Sequence, residues 1–180
     1  MKNEEIEIKL QFRNKKKIIS ILGKKIKFRK KFRIYDKYYS QNYSDMSNVH
    51  NLIRIREIKN SNAELTYKGK TKNRSNIWYR VELTTQIASP KAMEKILNNI
   101  GFKKISEYRS EKEYWELDNL EIVFSKFTSP AYLEFAEIEG KSEKKIKDLI
   151  KKLGKHVKEV GEEIFEVFDK KRKEKPKKFK

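Results

Sequence analysis

The chain has 180 residues, long enough for one domain with a real core, and its 45 Lys and Arg against 26 Asp and Glu give a formal net charge of +19. That charge draws polyanions (nucleotides, polyphosphate, nucleic acid or an anionic membrane surface), while 12% aromatic residues argue against a disordered chain. The absence of cysteine excludes a disulfide framework and a thiolate metal site, the isolated His50 and His156 argue against a histidine-built zinc site, and no apolar run reaches membrane-spanning length, so a soluble cytoplasmic protein is expected, with no membrane contact.

The first element is an extended run, Glu5-Ile6-Glu7-Ile8-Lys9. Alternate residues of a strand share a face, so Glu5, Glu7 and Lys9 point one way and Ile6, Ile8 and Leu10 the other. A helix follows from about Lys15 to Leu22, with Asn14 as N-cap and Gly23 as its stop. Lys27 to Arg33 and Tyr35 to Ser40 are weak strand candidates; Leu52 to Ile58, Glu64 to Lys68 and Trp78 to Gln86 alternate more plainly. Ser89 caps a second helix, Pro90 suits its first turn, Ala92, Met93, Ile96, Leu97 and Ile100 form its apolar face, and Gly101 ends it. Strands are expected again over Tyr108 to Leu117, Leu120 to Lys126 and Leu133 to Glu139, the first two joined by a tight turn at Asp118-Asn119. From Ser142 one helix runs to about Leu153 on an Ile146, Leu149, Ile150, Leu153 stripe. Another is expected from about Lys158 to Lys173, with Val160, Ile164, Phe165, Val167 and Phe168 on its apolar side.

Two halves show the same order: a strand with a charged face, a helix ending in Leu22-Gly23 or Ile100-Gly101, then meandering strands. This predicts an α+β fold, a sheet closed on itself with helices outside.

Five strands repeat the ionic device. Arg54 and Arg56, Thr66 and Lys68, Arg80 and Glu82, and Glu137 and Glu139 share faces as Glu5, Glu7 and Lys9 do. One such pair is most simply a solvated surface; five in one small domain point to a polar cavity. Carboxylates are hard oxygen ligands for Mg²⁺ or Mn²⁺, and Lys and Arg clamp phosphate oxygens, so a metal-chelated triphosphate satisfies both. No glycine-rich phosphate loop is present, so side chains would have to hold the phosphates.

These segments together resemble the CYTH domain family, the triphosphate tunnel metalloenzymes, which include class IV adenylyl cyclases and thiamine and inorganic triphosphatases. The resemblance is carried by Glu5-Ile6-Glu7-Ile8-Lys9, Asp36-Lys37-Tyr38-Tyr39, Ile53-Arg54-Ile55-Arg56, Leu65-Thr66-Tyr67-Lys68-Gly69, Arg80-Val81-Glu82 with Ser89-Pro90 through Phe102, and Phe135-Ala136-Glu137-Ile138-Glu139. It spans roughly residues 4 to 140 and is greatest with the class IV cyclase branch. It implies an eight-stranded antiparallel tunnel in a single domain over 1–169, followed by a disordered basic tail over 170–180. Glu5, Glu7, Glu82, Glu137 and Glu139 would hold Mg²⁺ or Mn²⁺; Lys9, Arg54, Arg56, Lys68, Arg80 and Lys112 would clamp the phosphates; Glu5, Glu7 and Lys9 would be the catalytic set. The substrate implied is ATP, thiamine triphosphate or inorganic triphosphate, cyclised or hydrolysed by a monomer or homodimer.

Three departures from the family pattern predict weaker or altered activity: Thr84 where a second glutamate is usual, Ser110 two residues before Lys112 in place of a Lys-x-Arg pair, and Ser125 in place of an acid. The rival reading is an RNA-binding protein, or an RNA 5′-triphosphatase, whose basic runs and tail contact the strand; a tunnel that binds a triphosphate without turning it over is the third. Trp78, Tyr79, Trp115, Tyr35, Tyr38 and Tyr39 are read as packing residues before they are read as base platforms.

Overall fold

The computed structural model describes residues 4–41 and 51–173. His50 and the chain after Lys173 lie outside these residues.

Among the described residues ten strands form one sheet. In chain order they are β1 (Glu4–Phe12), β2 (Lys27–Ser40), β3 (Leu52–Ile58), β4 (Ala63–Lys68), β5 (Lys72–Arg74), β6 (Ile77–Ile87), β7 (Lys103–Leu117), β8 (Leu120–Ser129), β9 (Leu133–Gly140) and β10 (Val157–Val160). The order β1-β9-β8-β7-β2-β3-β4-β6 closes when β6 pairs with β1, giving an eight-stranded antiparallel barrel; β5 and β10 are short additions to β6 and β1. β1 divides one edge between two partners, pairing with β6 over Glu4 to Ile8 and with β10 over Lys9 to Phe12.

The internal repeat is visible in this order. β1, a helix and β2-β3-β4 match β6, a helix and β7-β8-β9, and the halves interlock because β1 pairs with β9 while β6 pairs with β4. The lead strands β1 and β6 meet, as do β2 and β7.

Among the described residues four helices lie outside: α1 (Lys15–Leu22), α2 (Pro90–Asn99), α3 (Glu143–Leu153) and α4 (Ile164–Lys173). Asn14, Ser89 and Ser142 cap the first three by accepting a hydrogen bond from the backbone N–H three residues on. Asp118 and Asn119 both adopt left-handed φ, 49° and 66°, which makes the tight β7–β8 turn compatible with the twist of its strands.

The core sits between the barrel and its helices. Ile8 and Leu10 of β1, Ile122 of β8 and Ile138 of β9 pack on Ile18 and Leu22 of α1 and Ile146, Leu149 and Leu153 of α3. A smaller cluster holds Leu97 of α2 against Tyr39 and Ile55. The third closes one end of the barrel: Phe168 of α4, 1% exposed, stacks on Tyr108 at 5.0 Å and meets Phe127 edge-on.

Three sequence expectations change here. Lys27–Arg33 and Tyr35–Ser40 are one fourteen-residue strand, since pairing with β7 runs continuously past Ile34 apart from two bulges. Residues 157–160 are a strand, not the start of the last helix: the edge of β1 beyond Ile8 needs a partner once β6 has turned away, and β10 supplies it. α4 then starts at Ile164 and continues through Lys173, so the first residues read as a tail are helical. β5 was not anticipated; three polar residues carry no alternation to detect.

Candidate active site

The barrel inverts the usual distribution of polarity. Its outward-facing isoleucines meet the helices, and its bore is ionic. A chamber of about 220 Å³ is lined by Glu5, Glu7 and Lys9 of β1, Arg54 and Arg56 of β3, Lys68 of β4, Arg80 and Glu82 of β6, Lys112 of β7, and Glu137 and Glu139 of β9. Every residue expected at the site from sequence is therefore brought to one cavity.

The charges are graded along the bore. The open mouth, a vestibule of about 900 Å³, is ringed by five acids, Glu4, Glu5, Glu82, Glu121 and Glu139, with Arg54, Lys141 and Lys145. Lys9, Arg56, Lys68, Arg80 and Lys112 line only the inner chamber, whose far end is closed by Glu163, Ile164 and Phe165.

Most of the inner cations already hold an acid. Lys9 Nζ is 2.8 Å from Glu7 and 3.5 Å from Glu163, and sits 4.2 Å over the Trp78 ring. Lys112 reaches Glu137 at 3.0 Å, and Lys68 bonds Glu82. Arg80 bonds Glu163 and donates to Thr71 at 2.6 Å. Arg56 is committed more firmly than its motif suggests: Nε and one terminal nitrogen grip Asp36 at 2.7 and 2.9 Å, both partners buried. Arg54 is the least engaged. One terminal nitrogen donates to Thr66 at 3.0 Å, while its buried Nε has no partner.

The protonation states follow from this arrangement. Burial would raise the Glu7 carboxyl, but Lys9 and Lys68 beside it bring it down to about 2. Burial is likewise outweighed at Asp36, which Arg56 holds at about 2, and at Lys9, whose charge Glu7 and Glu163 sustain against it. Glu5 goes the other way, to about 7, through burial and the neighbouring Glu82. Burial and the charges of Glu5 and Glu7 push Glu139 well above the carboxylate range.

These acids fit a hard divalent cation. Their donor atoms are all carboxylate oxygens, and the crowding that raises Glu5 and Glu139 is what a cation would relieve. Among the described residues no three acids form a ready-made cage.

The three departures occupy different places. Thr84 is exposed at the mouth and hydrogen-bonds Thr66 at 3.0 Å. Ser110 and Ser125 are buried beside the chamber, next to Lys112 along and across the strands, and their hydroxyls have no partner. Trp78 and Tyr39 are buried, Tyr79 packs against the main core, Trp115 meets Phe28 on the outside, and Tyr35 stacks under Arg109; of the six expected aromatics Tyr38 lines the chamber.

Sequence reasoning missed three participants. Glu121 faces Glu139 across β8 and β9 at the mouth, and the alternation Glu121, Val123, Ser125 could have located it. Asp36 stood within a quoted motif without a role. Glu163 carried no signal, because it lies outside any strand and enters the bore from the far end of the chain.

A closed antiparallel barrel with a bore of paired acids and cations defines an ion-lined tunnel protein. The chain belongs to the CYTH family: the CYTH domain model matches residues 3–179. A Methanocaldococcus jannaschii protein, whose name carries a provisional adenylate cyclase assignment, is 29% identical over 118 residues, covering 65% of this chain and 66%, just under two thirds, of that protein. Among solved structures, the PH1819 protein of Pyrococcus horikoshii superimposes with a TM-score of 0.74 at 22% identity, over 93% of this chain and 99% of its own. A Hippeastrum protein described as an adenylyl cyclase candidate with a dominant triphosphatase activity does so with 0.69 at 18% identity, over 93% and 96%. At these identities the structural matches speak for the fold.

Proposed function

We propose that this chain is a divalent-metal-dependent enzyme that takes a nucleoside triphosphate such as ATP end-on, phosphates inward, and cyclises it to cyclic AMP and pyrophosphate. The observation that carries this reading is the charge gradient of the bore: five acids outnumber Arg54, Lys141 and Lys145 at the open mouth, while the charged residues found only within are five cations against Glu7, Glu137 and Glu163. A polyphosphate tail is drawn to Lys9, Lys68, Arg80 and Lys112, which leaves the α-phosphate and ribose beside Glu5, Glu82, Glu121 and Glu139. Those mouth acids, with Glu7 and Glu137 deeper in, would hold Mg²⁺ or Mn²⁺, whose chemistry when bound is to neutralise phosphate oxygens and orient the reacting groups.

In the reaction the ribose 3′-oxygen bonds to the α-phosphorus as the bond from that phosphorus to the bridging oxygen breaks. The hydroxyl proton passes to a mouth carboxylate, and pyrophosphate departs with its new charge among the inner cations. Arg54, with Nε unengaged at the junction of mouth and chamber, neutralises the α-phosphate. Binding displaces internal partners: the phosphates replace Glu7, Glu82 and Glu137 on Lys9, Lys68 and Lys112, freeing these acids for metal.

Hydrolysis of the same bound triphosphate is the second reading, supported by the Hippeastrum relative of like fold. Product analysis with ATP, thiamine triphosphate and inorganic triphosphate, with Mg²⁺ or Mn²⁺, separates the two. Cyclic AMP and pyrophosphate are expected, with at least a hundredfold loss in Glu5→Ala and Glu7→Ala. Orthophosphate release makes the protein a triphosphatase; turnover unaffected by either substitution removes the acids from the mechanism.

A further inference from the structure

The inner end of the cation clamp is occupied by a residue of the chain itself. The Glu163 carboxylate bonds Arg80, lies 3.5 Å from Lys9 Nζ and 3.4 Å from the Thr71 hydroxyl, and its side chain is 16% exposed. A carboxylate held by two cations and a hydroxyl is in the surroundings a phosphate would have.

Its position is fixed from both sides. The Glu163 backbone N–H donates to the Glu166 carboxylate at 2.7 Å, and its carbonyl accepts from the Val167 N–H at 3.2 Å, so Glu163 is the N-terminal cap of α4. α4 is in turn pinned by Val167 and Phe168 in the aromatic cluster that closes this end of the barrel. Ile164 and Phe165 complete the wall beside it. The backbone of Glu163 is thus held at the closed end, and its side chain reaches Lys9 and Arg80 from there, facing the direction from which the phosphates enter.

We propose that Glu163 sets the length of phosphate chain the tunnel accepts. On that reading a chain of three phosphates shares Lys9 and Arg80 with Glu163, which stays behind it at the closed end. A fourth would have to take the place of its carboxylate between Lys9 and Arg80, or lie against it with both charges unrelieved. The site thus selects triphosphates over longer linear polyphosphates, although its cations would otherwise favour the more highly charged ligand. This rests on the phosphates-inward reading above.

The test is calorimetric titration of ATP and adenosine 5′-tetraphosphate into metal-free protein, comparing wild type with Glu163→Gln, Glu163→Ala and Glu163→Asp. Wild type is expected to bind ATP at least tenfold more tightly than the tetraphosphate. Glu163→Gln and Glu163→Ala should tighten the tetraphosphate at least tenfold and ATP by a much smaller factor, and Glu163→Asp, which draws the charge back by one methylene, should fall between. Equal gains for both ligands would reduce Glu163 to a diffuse repulsion and overturn the inference, as would wild type preferring the tetraphosphate. ATP binding lost only in the variants would overturn it too, since Glu163 would then be needed to shape the clamp. ATP binding absent from wild type would instead overturn the tunnel reading, and this inference with it.

Discussion

Asp36 is the residue on which the clamp is built, although it need touch no ligand. Its carboxylate takes two hydrogen bonds from Arg56 with both side chains buried, so it fixes the guanidinium and neutralises half of the adjacent Arg54 and Arg56 charge. Deleting one member of such a pair strands the other in low dielectric, at a cost of about 3–5 kcal/mol. Asp36→Ala should accordingly lower the unfolding free energy measured by denaturant titration by that amount; a loss under about 1 kcal/mol would mean that water reaches Arg56. The pH dependence has a definite sign. Asp36 is held near 2 against an ordinary 3.8, so its contribution is fully present above about pH 4 and is lost as pH falls towards 2. The acid limb of wild-type stability below pH 4 should therefore be shallower in Asp36→Asn. The Asp36 motif was legible in sequence, but its pairing was not: Asp36 and Arg56 are twenty residues apart and meet only because β2 and β3 pair in that register.

At the scale of elements, α4 shows most clearly how a helix can serve a site it does not touch with catalytic groups. Its apolar stripe was readable from Ile164, Phe165, Val167 and Phe168, and its start was not, because Val157 to Val160 fits a helix or a strand equally well over four residues. The vacant edge of β1 decides for a strand, and that decision places Glu163 at the helix cap, in the bore. Phe168 anchors the arrangement. Phe168→Ala should cost about 3 kcal/mol by removing a buried ring and, by loosening the cap, should narrow the preference for triphosphate over tetraphosphate. Thermal unfolding together with the titrations above checks both; a destabilised variant with unchanged selectivity would separate the helix from the stop.

Across the whole molecule, a net charge of +19 works against the folded state and in favour of an anionic ligand. Raising salt from about 50 mM to about 500 mM, which shortens the screening length to a few ångströms, should raise the melting temperature of the ligand-free protein while weakening ATP binding roughly tenfold or more. A melting temperature that falls with salt would mean that ion pairs such as those between β2 and β7 outweigh the net repulsion. The sequence by itself determined the alternation, the helix caps, the duplicated order of elements and the identity of the charged faces, because these depend on residues near one another in the chain. Only the tertiary structure decided that β6 returns to β1 and closes the bore, that Asp36 and Arg56 are partners, that acids outnumber cations at the mouth while five cations lie behind them, and that Glu163 reaches the clamp from its closed end. Each of these depends on strand register and on which end of a barrel a distant segment reaches, quantities set by the sum of packing across the fold and by no local run of residues.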